Sequence, residues 1–173
     1  RLPLNPKIIM GVLLLAIAIS LGLLSDQDVI TRKYVDVKLT DGVLSSVAVY
    51  LPKGKPIGGA LLLHGFSATK ENLALVASSL ANAGYVVFTP DWRGHGATGG
   101  SLTRQNGTII ADIRSFQQTL NSMYNLSFSI IGGHSMGGGF AQLAASELNP
   151  NFLIIMCSGA VSGALNAVLA DKT

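Results

Sequence analysis

Between Phe128 and Ala145 the chain passes from a strand-like run to a helix-like one through Gly133-His134-Ser135-Met136-Gly137. Phe128-Ser129-Ile130-Ile131 reads as a short buried strand, and Gly138-Gly139-Phe140-Ala141-Gln142-Leu143-Ala144-Ala145 reads as the start of a helix. A serine at the tip of so tight a strand-to-helix turn takes a strained backbone. Residues two before and two after it come too close for side chains, and glycines at 133 and 137 remove that clash. The turn lifts the Ser135 hydroxyl clear of the sheet, at a helix N-terminus whose N–H groups and dipole favour developing negative charge. Such a geometry suits acyl transfer. The plain alternative is a glycine-rich turn that happens to contain a serine. Rival glycine motifs fail here. No G-x-G-x-x-G register crosses residues 132–142, and the Walker spacing from Gly133 to Gly138 is followed by Gly139 where a lysine is required.

Two earlier segments fit the same chemistry. Ala60-Leu61-Leu62-Leu63-His64-Gly65-Phe66 is an apolar strand ending in His-Gly, the place of an oxyanion loop when the nucleophile sits on a later strand of the same sheet. Phe88-Thr89-Pro90-Asp91-Trp92-Arg93-Gly94-His95-Gly96 is a strand ending in a charged, glycine-rich loop. The order His64-Gly65-Phe66, Asp91-Trp92-Arg93-Gly94-His95-Gly96, Gly133-His134-Ser135-Met136-Gly137-Gly138 resembles the α/β-hydrolase superfamily. Within it the likeness is to the group of monoacylglycerol lipases, lysophospholipases and serine aminopeptidase-like hydrolases, over residues 31–160.

The resemblance implies roles. Ser135 would attack a carbonyl carbon and form an acyl-enzyme, with the backbone N–H groups of Phe66 and Met136 holding the oxyanion. His64 would orient the oxyanion loop beside Gly65, and Asp91, Arg93 and His95 would brace the neighbouring loop. Thr98 stands where the group often has serine, and His134 is expected to pack away from the nucleophile. No cofactor and no metal are implied. The triad order of this fold is nucleophile, acid, histidine, and no histidine follows Ser135. Asp171 is the sole carboxylate after Glu147, but the acid of this group usually follows one strand later. Neither Asp171 nor a displaced His95 is therefore taken for the triad, whose acid and base stay unassigned.

Composition fits a packed α/β domain. Hydrophobic residues make up 49% of the 173 and charged residues 12%, which excludes disorder and supplies a core for one domain. Twelve basic residues against nine acidic ones leave an excess of three, which falls to one once Arg1 and Lys7 are set aside. With no basic cluster and no aromatic platform, nucleic acid is rejected as a partner. Cys157, the single cysteine, excludes an intrachain disulfide and is expected as a buried thiol.

Pattern and turn signals give a hairpin of strands at 34–39 and 43–51 around Asp41-Gly42, then strand 59–63, helix 70–83 and strand 85–89. Helix 108–123, strand 127–131, helix 136–147 and strand 152–156 follow. This predicts an α/β-hydrolase fold, a mainly parallel sheet with crossover helices and an N-terminal antiparallel hairpin. The site would lie at the C-terminal edge of that sheet, beside the loop 91–106. If 152–156 is the last strand, an uncharged apolar edge is left unpaired, so the sequence reads as truncated before the final strands and as inactive by itself. Asn106-Gly107-Thr108 and Asn125-Leu126-Ser127 match glycosylation sequons, which matter only in a glycosylating secretory system.

Residues 8–24 hold no charge, and as a helix they would span about 25 Å, within the range that crosses a bilayer. Arg1 and Lys7 precede them, while Asp26 and Asp28 follow. The chain therefore divides into a basic flank at 1–7, a transmembrane anchor or signal segment at 8–24, and a partial hydrolase domain at 25–173. The charge bias puts that domain on the extracytoplasmic side. Secretion after signal cleavage is the alternative, since small residues stand at suitable spacing at 16–18 and 20–22. The expected activity is that of a serine hydrolase on a lipid or small acyl ester. A peptidase or acyltransferase of the same fold, or a non-catalytic binding module, are the alternatives. Substrate identity and oligomeric state are not legible.

Overall fold

The computed structural model describes residues 30–102 and 105–159. Six strands form one sheet: β1 (Thr31–Lys38), β2 (Leu44–Leu51), β3 (Gly58–Leu63), β4 (Tyr85–Pro90), β5 (Phe128–His134) and β6 (Phe152–Met156). Their spatial order is β1-β2-β4-β3-β5-β6. β2 runs antiparallel to β1 and β4, whereas β4, β3, β5 and β6 are mutually parallel. Each parallel step needs a crossover, and three helices supply them: α1 (Ala74–Asn82), α2 (Asn106–Tyr124) and α3 (Met136–Leu148).

Alternation along β3 decides which face each helix covers. Ala60 and Leu62 point to one side and pack with Leu73, Ala77 and Ala81 around α1. Leu61 and Leu63 point to the other and pack with Ile113 and Phe116 of α2 and Ala141 and Ala144 of α3. All six residues of β3 are buried, as expected for a parallel strand covered on both faces. Burying each of its leucines contributes on the order of 1.5–3 kcal/mol, which pins the register of the central strand. The α/β-hydrolase fold with its N-terminal antiparallel hairpin follows from this order and these directions.

Boundaries differ in places, each for a physical reason. Helix 70–83 divides into a 3-10 turn at Lys70–Leu73 and α1, because Thr69 and Asn72 form a capping box that tightens the first turn. β5 runs on to His134, since Gly132, Gly133 and His134 still pair with Ile154, Ile155 and Met156 of β6. β1 starts at Thr31, which pairs with Leu51 and so extends the hairpin along all of β2. Cys157 is exposed rather than buried: it turns away just after β6 with φ 51°, outside the apolar run that precedes it.

Residues 8–24 and Asp171 lie outside the described residues. Among the described residues no helix is long and apolar enough to cross a membrane. β6 forms one edge of the described sheet, with Phe152 60% exposed. The ends of β3, β4, β5 and β6 fall on one side of the sheet, which brings His64, Asp91, Ser135 and Met156 to a common rim.

Candidate active site

Ser135 sits between β5 and α3 with φ 52° and ψ −118°, a positive φ that a residue with a Cβ adopts only under strain. Its N–H donates to the Met156 carbonyl at 2.9 Å, so the end of β6 holds the turn from below. Close packing does the rest. A Cβ on Gly133 would run into the Gly137 carbonyl, and one on Gly137 would strike the carbonyls of Leu63 and His64. The N-terminus of α3 thus rests directly on the end of β3, an approach only glycine permits. Ser135 is exposed, and no hydrogen bond from its hydroxyl to the described residues is present.

The loop after β3 faces it. A Cβ on Gly65 would stand 3.3 Å from the Ser135 Cβ, so the loop backbone at Gly65 packs close to the serine. Neither Phe66 nor Met136 donates its N–H to a carbonyl in the turns and caps of the described residues. Met136 opens α3, so its N–H has no partner within the helix. A cavity of about 350 Å³ opens here, lined by Ser135, His134, Gly65, Phe66, Val76 and Met156 among others. His134, the last residue of β5 and still paired with Met156, is exposed at its rim rather than packed, with its ring beside Gly65.

His64 is buried with both ring nitrogens occupied. Nδ1 lies 2.7 Å from the Gly65 carbonyl oxygen, a contact that requires the proton on Nδ1, and Nε2 accepts the Trp92 N–H at 3.0 Å. Burial pushes its pKa below the ordinary histidine value, against the pull of the Gly65 bond, so the ring is neutral. A ring committed at both ends orients backbone and has no lone pair left for a substrate proton. His95 stacks near it, at 5.3 Å between ring centroids, and meets the Phe66 ring edge-on at 5.7 Å.

Asp91 is wholly buried and accepts three hydrogen bonds, from the Lys70 N–H at 2.7 Å, the Lys70 ammonium at 2.6 Å and the Ala97 N–H at 2.9 Å. Burial alone would raise its pKa, but the bonds from Lys70 and Ala97 outweigh that and hold it below the usual carboxylate range. Arg93 is buried between Asp112 of α2 and Asp41 of the β1–β2 turn. Thr98 Oγ1 donates to the Asp91 carbonyl and accepts the Ser46 N–H, each at 3.0 Å. Sequence reasoning missed Lys70, Asp41 and Asp112. None of the three belongs to a catalytic motif, and their role comes from where the fold brings them. No group of three or more histidine, cysteine or carboxylate side chains among the described residues could hold a metal.

The family described as Serine aminopeptidase, S33 matches residues 54–171. A monoacylglycerol lipase of Mycolicibacterium smegmatis is 28% identical over 129 residues, 73% of this chain and 46% of its own length. An esterase of Pyrococcus furiosus superposes with a TM-score of 0.59 at 26% identity, covering 69% of this chain and 48% of that one. A serine hydrolase homologue from Coxiella burnetii, at 16% identity, shares the fold with a TM-score of 0.69 over 81% of this chain and 69% of its own. The chain spans about half the length of the lipase and the esterase.

Proposed function

The chain belongs to the serine aminopeptidase S33 family, and on that premise we propose that Ser135 is the nucleophile of a serine hydrolase acting on carboxylic esters. One observation carries the reading: a non-glycine residue at φ 52°, exposed on a cavity, at a strand-to-helix junction that its glycine neighbours let close. Strain of on the order of 1–3 kcal/mol persists only where the surroundings enforce it, and here it presents a hydroxyl. In the reaction Ser135 Oγ adds to the ester carbonyl, and the negative charge gathers on the carbonyl oxygen. The N–H groups of Phe66 and Met136 receive that charge at the N-terminus of α3. Expulsion of the alcohol leaves the acyl group on Ser135, and water releases it.

His64, with both ring nitrogens committed to backbone, is not the base that takes the Ser135 proton. The proposal therefore covers the nucleophile and the oxyanion donors. Phe66, Leu73, Val76 and Met156 give the cavity an apolar wall that suits an acyl chain, and relatives named as a lipase and an esterase support ester over peptide. The test is fluorophosphonate labelling of the complete protein beside hydrolysis of acylglycerols and aminoacyl anilides. Labelling lost in Ser135→Ala and turnover of acylglycerols only are expected; a labelled Ser135→Ala variant, or faster cleavage of anilides, would overturn the assignment.

The same proposal includes a tether. The uncharged run at 8–24, basic before and acidic after, supports anchoring of the domain on the extracytoplasmic side. Carbonate extraction of membranes carrying the complete protein tests this, and release into the soluble fraction counts against it.

A further inference from the structure

The loop from Gly65 to Thr69 is held at both ends by two consecutive residues. Trp92 donates its N–H to His64 Nε2 at 3.0 Å, just before the loop begins. Asp91 accepts the Lys70 N–H at 2.7 Å and the Lys70 ammonium at 2.6 Å, just after it ends. Asp91 is itself fixed to the hairpin: its N–H donates to the Ser46 carbonyl at 2.8 Å, and its carbonyl accepts the Ser45 hydroxyl at 2.9 Å. A rigid dipeptide on the sheet rim thus clamps a five-residue loop, inside which the Ala68 N–H reaches back to the Gly65 carbonyl at 3.3 Å.

We propose that Lys70 is a positioning residue of the oxyanion site, fixing the far end of this loop on Asp91 and with it the aim of the Phe66 N–H. The proposal rests on the reading of Ser135 and Phe66 given above. A buried ion pair is poor evidence of a stabilising device, because apolar residues of similar volume do as well or better. This one does something an apolar pair does not. The buried N–H of Lys70 requires an acceptor, the Asp91 carboxylate supplies it, and its buried charge then requires a cation. The Lys70 ammonium is that cation, held from its other side over the Tyr34 ring at 5.7 Å. Next to it, Glu71 accepts from Arg32 and from the Tyr34 hydroxyl, each at 2.8 Å, so the segment after the loop is tied to β1 as well. The Gly65–Thr69 loop is thus pinned at both ends.

The experiment uses the complete protein carrying Lys70→Met and, so that no uncompensated carboxylate burdens folding, Lys70→Met with Asp91→Asn. Amide hydrogen exchange over residues 65–72 is expected to speed up about tenfold or more in both variants, with exchange over 106–124 unchanged. Affinity for phenylboronic acid, which mimics the tetrahedral intermediate, is expected to fall about 10- to 100-fold along with kcat, while KM for a p-nitrophenyl ester stays within about threefold. Unchanged exchange over 65–72 overturns the proposal, and so does faster exchange with boronate affinity retained. Exchange needs no turnover, whereas failure of the Ser135 reading shows in the labelling of Ser135→Ala, so the two failures are told apart.

Discussion

Arg93 grips both carboxylate oxygens of Asp112, through Nε and Nη2 at 2.7 Å each, with both side chains almost wholly buried. The other edge of the guanidinium meets Asp41, Nη2 donating to Oδ1 at 3.1 Å and Nη1 to Oδ2. These bonds raise the Arg93 pKa further above its ordinary value, those to Asp112 most. One side chain thereby joins the β1–β2 turn, the loop after β4 and helix α2.

Removing Asp112 leaves a buried guanidinium without its main partner. Asp112→Leu is expected to cost about 3–5 kcal/mol of stability, read as a fall in the urea midpoint at unchanged slope. Arg93→Lys is expected to fare little better, because an ammonium lacks the planar fork that fits the carboxylate. Asp41→Ala, on the exposed side, should shift the midpoint far less. Equal shifts for Asp41 and Asp112 would mean that the hairpin anchors Arg93 as firmly as the helix does.

Two glycine substitutions separate close packing from helix propensity. Gly137→Ala drives a Cβ into main-chain carbonyls of Leu63 and His64, which cannot swing aside as a side chain would. It is expected to cost about 1–3 kcal/mol and to abolish fluorophosphonate labelling. Gly107, in the first turn of α2, has open space where a methyl group would stand, with nothing within 4 Å, so Gly107→Ala is expected to gain up to about 1 kcal/mol and leave labelling intact. Thermal melts and labelling of the pair decide it.

Much of the sheet was legible because its strands are short apolar runs closed by glycine-rich turns. The elbow was legible because its glycines are demanded locally, at 133 and 137, by atoms within a few residues or at the end of the adjacent strand. The clamp was not. Lys70 meets Asp91 across 21 positions of sequence, and Arg93 meets Asp112 across 19 and Asp41 across 52. Nothing in the local pattern marks a lysine in the first turn of a helix as buried, and only the rim of the folded sheet brings these charges together. Cys157 misled for a related reason. Apolar neighbours promised burial, but the residue stands one past the last paired position of β6, where packing ends.

His64 supplies a pH dependence whose sign is fixed by burial. Its folded-state pKa lies below the unfolded value of 6.5, so below that pH the unfolded chain binds a proton the native ring refuses. Stability from this group is complete above pH 6.5 and declines as pH falls toward the depressed folded pKa. Urea titrations between pH 7.5 and about 5 should show this loss, and His64→Asn should remove that part of the slope. A wild-type midpoint that rises on acidification across this window would mean that the native ring takes up the proton more readily than the unfolded one.

Ser135 tests whether strain at the elbow is kept for the hydroxyl. Ser135→Ala removes the oxygen and retains the Cβ at φ 52°, whereas Ser135→Gly removes both. Relief of about 1–3 kcal/mol of backbone strain is partly offset by about 0.5–1 kcal/mol of extra entropy that glycine brings to the unfolded chain. The glycine variant is therefore expected to be about 1 kcal/mol more stable than the alanine variant, and neither should label. Coincident denaturation midpoints for the two would mean that the main chain at 135 is at ease in its turn. A more stable glycine variant would mean that the chain gives up folding free energy at this position for a side chain the fold does not need.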